Sequence, residues 1–264
     1  MFERTYAENR LRTRLEGLTG HIVMANPGRK NAVDQAMWAS FPEAIDALTQ
    51  AGARAIVLAG EGTDFSAGAD ISEFDRVRRD TETALAYEAL NSAAFRAVRQ
   101  SPVPVIAAIA GICFGGGFGL AAAADIRIAE AGASFAVPAA RLGLAYPADA
   151  IGDIVDALGT QWTKIALYTA RRFSASELYD HGFLAEVTAV GGATSRAMDL
   201  AQTIAANAPL SIRASSLAIQ AAINGDPTSF DAAVAAGAVT FDSADYAEGR
   251  KAFAEKRSPQ FTGR

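Results

Sequence analysis

The segment Ala107–Ala129, AAIAGICFGGGFGLAAAADIRIA, decides how the rest of the sequence is interpreted. Three consecutive glycines, Gly115 to Gly117, stand between two apolar stretches, and Gly119 follows closely. Glycine loses more conformational freedom on folding than any other residue, so this cluster ahead of an alanine-rich helix opposes local stability. We therefore expect a function that needs bare backbone at this point.

The composition is that of an ordinary globular protein, with 50% hydrophobic and 20% charged residues among 264. The 24 Lys and Arg against 29 Asp and Glu argue against a general role on nucleic acids or membrane surfaces. Cys113 is the single cysteine, which excludes an intrachain disulfide and favours a reducing compartment. The N-terminal MFERTYAENR lacks the apolar run of a signal peptide. The sequence therefore predicts a cytoplasmic protein.

Strands that are apolar on both faces alternate with helices in the first half of the chain. Residues 11–16 and 21–25 are predicted strands, 34–50 and 83–99 are predicted helices, and the charged segment 75–82 is a predicted surface excursion. This alternation is typical of an α/β fold.

From about Pro138 the sequence becomes mostly helical, and a soft boundary between an α/β core and the terminal helices is predicted near residues 190–192. Apolar helices at the end of a chain often pack against another subunit. A plain helical cap on the α/β core is the alternative.

Three functions compete for the glycine run. A phosphate cradle is poorly supported, because no G-x-G-x-x-G follows the first strand and G-x-x-x-x-G-K-[ST] is absent from the sequence. Close helix packing explains one glycine better than three in a row. The third is an oxyanion hole, in which an N–H group at the start of a helix binds a developing negative oxygen. A second donor is then required, and the small-residue loop FSAGADI, Phe65 to Ile71, is a candidate.

With these two loops the chain resembles the crotonase, or enoyl-CoA hydratase/isomerase, family. The segments NPGRKNAVDQAM and EGRKAFAEKRSPQF are similar to that family's N-terminal loop and C-terminus. The resemblance implies a spiral of ββα repeats in residues 1–191 and a helical trimerisation domain in residues 192–264. It also implies a homotrimer or homohexamer that acts on acyl-CoA in fatty acid metabolism.

Carried over by position, the resemblance makes the N–H groups of Ala69 and Gly116 the donors that polarise a thioester carbonyl. A thioester enolate is the intermediate of this chemistry, and losing one such donor typically costs ~3–4 kcal/mol of barrier. Coenzyme A enters as part of the substrate, and no separate cofactor is expected. The residues that the resemblance and the local basic charge assign to coenzyme A are Arg29, Lys30, Ser66, Ala67, Gly68, Phe253 and Lys256. A basic residue of this set, taken alone, is more often a solvated surface charge.

The sequence departs from the family where hydratases carry two catalytic glutamates. Those positions are Gly119 and Ala139 here, and neither residue can transfer a proton. Ordinary hydration by two glutamates is therefore not available from these positions.

Two other residues are candidates for the proton transfer. Tyr146 lies in LGLAY, which is similar to a segment of the methylmalonyl-CoA decarboxylase branch, and a decarboxylase needs no base. A neutral phenol, with a pKa ordinarily near ~10, donates a proton better than it accepts one. Asp149 is either a repositioned acid/base or the N-cap of a helix that begins near Ala150.

The sequence thus indicates an acyl-CoA thioester-processing enzyme, which overall similarity would label an enoyl-CoA hydratase. The alternatives are a decarboxylase of the methylmalonyl-CoA type that uses Tyr146, and a non-catalytic acyl-CoA-binding protein. His21 and His181 are interpreted as structural, Cys113 as a small buried hydrophobe, and no metal site is expected.

Overall fold

A computed structural model describes residues 2–264, apart from the side chain of residue 224. The strands are β1 Phe2–Tyr6, β2 Leu11–Glu16, β3 Thr19–Met24, β4 Ala55–Gly60, β5 Val105–Ile109, β6 Ile112–Phe114, β7 Ile126–Glu130, β8 Ser134–Ala136, β9 Phe173–Ser174 and β10 Glu186–Thr188. The helices are α1 Gln35–Gln50, α2 Phe74–Val77, α3 Thr81–Arg99, α4 Gly116–Ala123, α5 Ala148–Leu158, α6 Thr160–Thr169, α7 Ala175–Asp180, α8 Ala193–Ala206, α9 Pro209–Asn224, α10 Pro227–Phe241 and α11 Ala244–Glu255.

A seven-stranded sheet in the order β1-β2-β3-β4-β5-β7-β10 forms the centre of the protein. β1, β2 and β3 pair antiparallel, and the other neighbours pair parallel. A second, three-stranded sheet in the order β6-β8-β9 lies beyond the carboxyl end of β5. The mixed α/β architecture that the sequence predicts is confirmed.

Helices cover both faces of the large sheet. On one face the side chains of α1, α3 and α4 form the main core with the inward residues of the strands. On the other face Ala193, Ala197 and Ala201 of α8 pack against Val57 and Ile106. Small residues at intervals of four let this helix lie close to the strands. The helix that follows residue 192 therefore packs on the sheet, and the domain division at residues 191 and 192 stays a prediction.

Two expectations for the N-terminal half differ from the structure. Residues 2–6 form an edge strand paired with β2, although their charged sequence does not indicate one. The predicted excursion at residues 75–82 instead contains α2 and the first turn of α3. A capping box starts α3, because Asp80 accepts from the Thr83 amide and the Thr83 hydroxyl accepts from the Asp80 amide.

The last three helices expose large apolar side chains, which include Phe230, Phe241 and Phe253. None of the helices within the described part of the chain is long and apolar enough to cross a membrane.

Asp34 fixes the start of α1. Its Oδ1 accepts a hydrogen bond from the Met37 amide at 2.9 Å, and its Oδ2 lies 2.6 Å from Arg10 Nε. We expect Asp34→Ala to lower the free energy of unfolding by about 1–2 kcal/mol, because an N-cap is lost. Asp34→Asn keeps a capping oxygen and is expected to cost less. Urea unfolding of both variants measures this, and equal losses would show that the ion pair with Arg10 matters instead of the cap.

Candidate active site

The loop of residues 65–71 lies alongside β6 like a short extra strand. The Ser66 amide donates to the Ile112 carbonyl at 3.0 Å, and the Phe114 amide donates to the Ser66 carbonyl at 2.9 Å. Ser66 and Cys113 thereby form a parallel bridge. Because β6 leads directly into α4, this pairing holds the loop against the first turn of that helix.

The other side of the same loop is fixed to residues 30–33. The buried Ser66 hydroxyl donates to the Asn31 carbonyl at 2.7 Å and accepts from the Gly68 amide at 3.1 Å. The Ala67 amide donates to the Lys30 carbonyl at 2.9 Å. The Val33 amide donates to the Gly68 carbonyl at 2.8 Å. With hydrogen bonds on both sides, the loop has little freedom to move.

The backbone amides of Ala69 and Gly116 lie close together. A Cβ built on Gly116 would lie 3.6 Å from the Ala69 nitrogen, so the two nitrogens are less than about 7 Å apart for bond lengths near 1.5 Å. Within residues 2–264 neither amide has a hydrogen-bond acceptor. Both line one cavity of about 90 Å³. Gly116 also begins α4, whose dipole favours negative charge at this end.

Gly116 admits no side chain at this position. A Cβ there would lie 2.8 Å from Cζ2 of Trp38, whose ring is fully buried beneath the helix start. The Trp38 Nε1 donates to the Tyr87 hydroxyl at 3.1 Å, which fixes the ring. Burial raises the pKa of Tyr87 to about 12.

Tyr146 occupies the space that a side chain at position 119 would need. A Cβ on Gly119 would overlap the Tyr146 hydroxyl oxygen and would lie 2.9 Å from Cε1 of Phe95. The hydroxyl donates to the Gly115 carbonyl at 3.0 Å, and Tyr146 lines the cavity together with Ala139. Burial raises the pKa of the Tyr146 phenol well above its ordinary value. The phenol is therefore neutral at physiological pH and retains its proton.

Asp149 lies outside the cavity wall. It is exposed in the first turn of α5, where its Oδ1 accepts from the Ser92 hydroxyl at 2.9 Å, and it is not among the residues that line the cavity. The helix begins at Ala148 with Pro147 at the N-cap, so the expectation that Asp149 is the N-cap is wrong. Nothing in its position supports a role as acid or base.

Of the residues predicted to bind coenzyme A, Ala67 alone is among those that line the cavity in the described part of the chain. Ser66 is fully buried and acts by holding the loop. Arg29 is exposed and contacts Asp70 at 3.0 Å and Ser72. Phe253 is 87% exposed on α11, and the exposed Lys256 ends that helix in a left-handed conformation.

The two histidines and the cysteine do not line the cavity, and each packs against other parts of the fold. His181 stacks on Trp162 with ring centroids 3.6 Å apart, and His21 lies buried in β3. Burial lowers the pKa of His21 and raises the pKa of the Cys113 thiol. No group of three or more potential metal ligands occurs among the residues that the structure describes.

Two polar residues of the cavity wall, Arg78 and Asn91, were missed in the sequence. Arg78 follows α2, in the segment expected to be a surface excursion. Asn91 lies on the buried face of α3 between Tyr87 and Phe95. A polar residue within an apolar helical stripe is the signal that would have found it.

The contact between position 119 and Tyr146 is tested by Gly119→Ala. We expect the added methyl group to displace the tyrosine and to lower the free energy of unfolding by about 1–3 kcal/mol. Tyr146→Phe in the same background should recover part of that loss, because the overlapping hydroxyl is gone. Gly152→Ala is the control, since it lies in an open helical position and should gain up to about 1 kcal/mol. Denaturant unfolding of these three variants and of Tyr146→Phe alone measures these values. Strictly additive effects of the two site substitutions would contradict the contact.

The sequence is similar to that of known acyl-CoA enzymes. Residues 16–264 match the sequence model of the enoyl-CoA hydratase/isomerase family. An enoyl-CoA isomerase/hydratase of Mycosarcoma maydis is 30% identical over 262 residues, with 94% of each chain covered. The methylmalonyl-CoA decarboxylase of Escherichia coli is 29% identical over 250 residues, which cover 92% of this chain and 94% of the relative.

The structural comparison agrees with the sequence. An enoyl-CoA hydratase/carnitine racemase from Magnetospirillum magneticum superposes with a TM-score of 0.91 at 32% identity, covering 98% of this chain and 97% of that chain. The crotonase fold that the sequence predicts is thereby confirmed. The chain belongs to the enoyl-CoA hydratase/isomerase family.

Proposed function

We propose that the protein forms a thioester enolate from an acyl-CoA and returns a proton to it from Tyr146. The observation that carries the proposal is the position of Tyr146, which lines the cavity shared by Ala69 and Gly116 and whose hydroxyl, bonded to the Gly115 carbonyl, fills the space of a side chain at position 119. The two amides receive the thioester oxygen, whose negative charge grows as the enolate forms. Fixed donors in a site shielded from water stabilise such charge strongly.

Decarboxylation of a malonyl-type thioester is the reaction that this cavity supports best. The bond between the α-carbon and the carboxylate breaks, CO₂ leaves, and the electron pair becomes the enolate. No base is required. Tyr146 then gives its proton to the α-carbon, and water reprotonates the phenolate. The similarity to the decarboxylase of Escherichia coli supports this class of reaction.

Hydration of an enoyl thioester has less support. A water must be activated by a carboxylate, and the cavity wall within residues 2–264 contains none. Its polar side chains are Arg78, Asn91 and Tyr146. A neutral phenol with a raised pKa is a poor base at neutral pH.

The proposal includes the coenzyme A contacts and the assembly. Ala67 and Gly68 would border the pantetheine, and Arg29 and Lys30 would lie toward the phosphates. Phe253 and Lys256 would reach the nucleotide end from a neighbouring subunit of a trimer or hexamer. The exposed apolar side chains of α9 to α11 support such an assembly. A cytoplasmic location is part of the same proposal.

Tyr146→Phe tests the role of the phenol. With a methylmalonyl thioester in D₂O, we expect the wild type to place deuterium on one face of the α-carbon. The variant should lose that selectivity and turn over about 10²-fold more slowly, since a positioned acid is absent. CO₂ release and the stereochemistry of the product are measured. Asp149→Asn is the matched control and should behave as the wild type.

Two outcomes would oppose this function. If Tyr146→Phe leaves both rate and stereochemistry unchanged, the phenol is not the acid. If the thioesters bind without any turnover, the protein is a non-catalytic acyl-CoA-binding protein.

The pH dependence follows from the direction of the Tyr146 pKa shift. Burial favours the neutral phenol, so its acid form persists above the ordinary value near ~10. We expect kcat to stay level from pH 7 to about pH 10, because the proton donor is retained throughout. Initial rates in overlapping buffers measure the profile. A tenfold fall of kcat between pH 8 and pH 9 in the wild type, absent from Tyr146→Phe, would contradict a raised pKa of Tyr146.

A further inference from the structure

A buried carboxylate directly follows Ala69, whose amide is one of the two at the cavity. Asp70 is 8% exposed, and its two oxygens lie 3.0 and 3.1 Å from Arg29 Nη1. Its Oδ1 also accepts from the Ser72 amide at 3.0 Å and from the Ser72 hydroxyl at 2.8 Å. Burying a charge is costly, so a carboxylate is kept in such a place only with a full set of partners.

These partners keep the carboxylate ionised. Burial acts to raise the pKa of Asp70, but the hydrogen bonds from Ser72 and the positive charge of Arg29 outweigh it, so the pKa lies below its ordinary value. The ion pair between Arg29 and Asp70 is therefore present at neutral pH.

The direction of the Ala69 amide depends on the peptide that joins it to Gly68. The Gly68 carbonyl accepts from the Val33 amide at 2.8 Å. Because the C=O and N–H of a trans peptide point in opposite directions, the Ala69 N–H points away from Val33. Gly68 has a φ of +90°, and glycine restricts the rotation of the adjoining peptide less than other residues do. The direction of the N–H therefore depends on how firmly the loop is held against residues 26–33.

Asp70 anchors the far end of the loop to that segment. Its amide donates to the Val33 carbonyl at 3.0 Å, and its carboxylate binds Arg29, which ends the helical turn Pro27–Arg29. After Asp70 the chain turns away into the helical turn Ile71–Glu73. The side-chain contact thus adds a second anchor at the point where the loop leaves residues 26–33.

The geometry of Arg29 allows two roles. Its Nη1 donates to Asp70 and to the Ser72 hydroxyl, while the side chain is 55% exposed. A guanidinium carries five N–H groups, so its other edge can still face a phosphate of coenzyme A. The ion pair and the phosphate contact are compatible, but they predict different consequences when Arg29 is changed.

We propose that Asp70 is a positioning residue, which is held by Arg29 and fixes the direction of the Ala69 amide toward the thioester oxygen. This inference rests on the proposed function, because it assumes that the Ala69 amide donates to that oxygen. Asp70 is not among the described residues that line the cavity, and it takes no part in proton transfer. Its effect reaches the substrate through the backbone of the loop.

The infrared band of a bound thioester carbonyl reports the position of the amide. The probe is propanoyl-CoA with ¹³C at the thioester carbonyl, and free coenzyme A, which lacks that carbonyl, reports the other contacts of the ligand. In Asp70→Asn we expect the band to move back toward its aqueous frequency and kcat with a methylmalonyl thioester to fall about tenfold, because one donor is displaced. The Kd of free coenzyme A should change less than about twofold, since its contacts are unaltered.

Arg29→Gln provides a second variant, which should fold because the side chain is largely exposed. We expect it to lower kcat and to move the carbonyl band as Asp70→Asn does. The double variant should be no worse than either single one, because both substitutions remove the same contact. Arg79→Gln is the matched control, since that arginine is exposed on the same segment and pairs with its neighbour Asp80. It should behave as the wild type.

The outcomes separate this inference from the function on which it rests. If both variants lose stability to urea but keep the wild-type band and kcat, Asp70 only stabilises the loop, and the inference is wrong while the proposed function stands. If Arg29→Gln weakens the binding of free coenzyme A and leaves the band in place, the guanidinium serves a phosphate and the inference is also wrong. If the wild-type band itself stays at its aqueous frequency, the proposed function fails, and the inference fails with it.

Discussion

The whole site depends on the pairing of the 65–71 loop with β6. This pairing is made of ordinary strand-like hydrogen bonds, and the buried Ser66 hydroxyl fixes its other side to residue 31. It aligns two chain segments that are far apart in sequence, so that Ala69 and Gly116 line the same cavity and neither amide has an acceptor among the described residues. In the proposed function these amides are the donors, and a rigid pair of donors requires no reorganisation when charge develops on an oxygen.

The second constraint is steric: a side chain at position 119 and the Tyr146 hydroxyl would occupy the same space. With glycine at 119, the Tyr146 ring can reach the first turn of α4 and place its hydroxyl on the Gly115 carbonyl. A residue with a longer side chain at 119 would push the tyrosine out. Glycine at position 119 and tyrosine at position 146 are therefore coupled by direct contact: a carboxylate side chain does not fit at position 119 while the tyrosine keeps this place.

Much of this was predictable from the sequence, and the parts that were missed have physical reasons. The glycine run and FSAGADI are strong local patterns, so the fold and the two loops that line the cavity could be predicted. The edge strand at residues 2–6 was missed because both its faces are polar enough to resemble a loop. The start of α3 was missed because its N-cap, Asp80, is one of several charged residues in the segment expected to be a surface excursion. Arg78 and Asn91 meet only after α2 and α3 pack together, and spacing along the chain does not reveal that contact. Asp149 was close to Tyr146 in sequence, yet the start of α5 turns it to the surface.

The most direct test of the account is the carbonyl stretch of a bound thioester. Infrared difference spectra of an acyl-CoA with a ¹³C-labelled thioester carbonyl isolate that vibration in the complex. Two converging amide donors polarise the C=O bond, so the band should move to lower frequency than in water, and a bulkier residue at position 116 should abolish the shift. A band that stays at its aqueous frequency in the wild-type complex would contradict the convergence of the Ala69 and Gly116 amides on one oxygen.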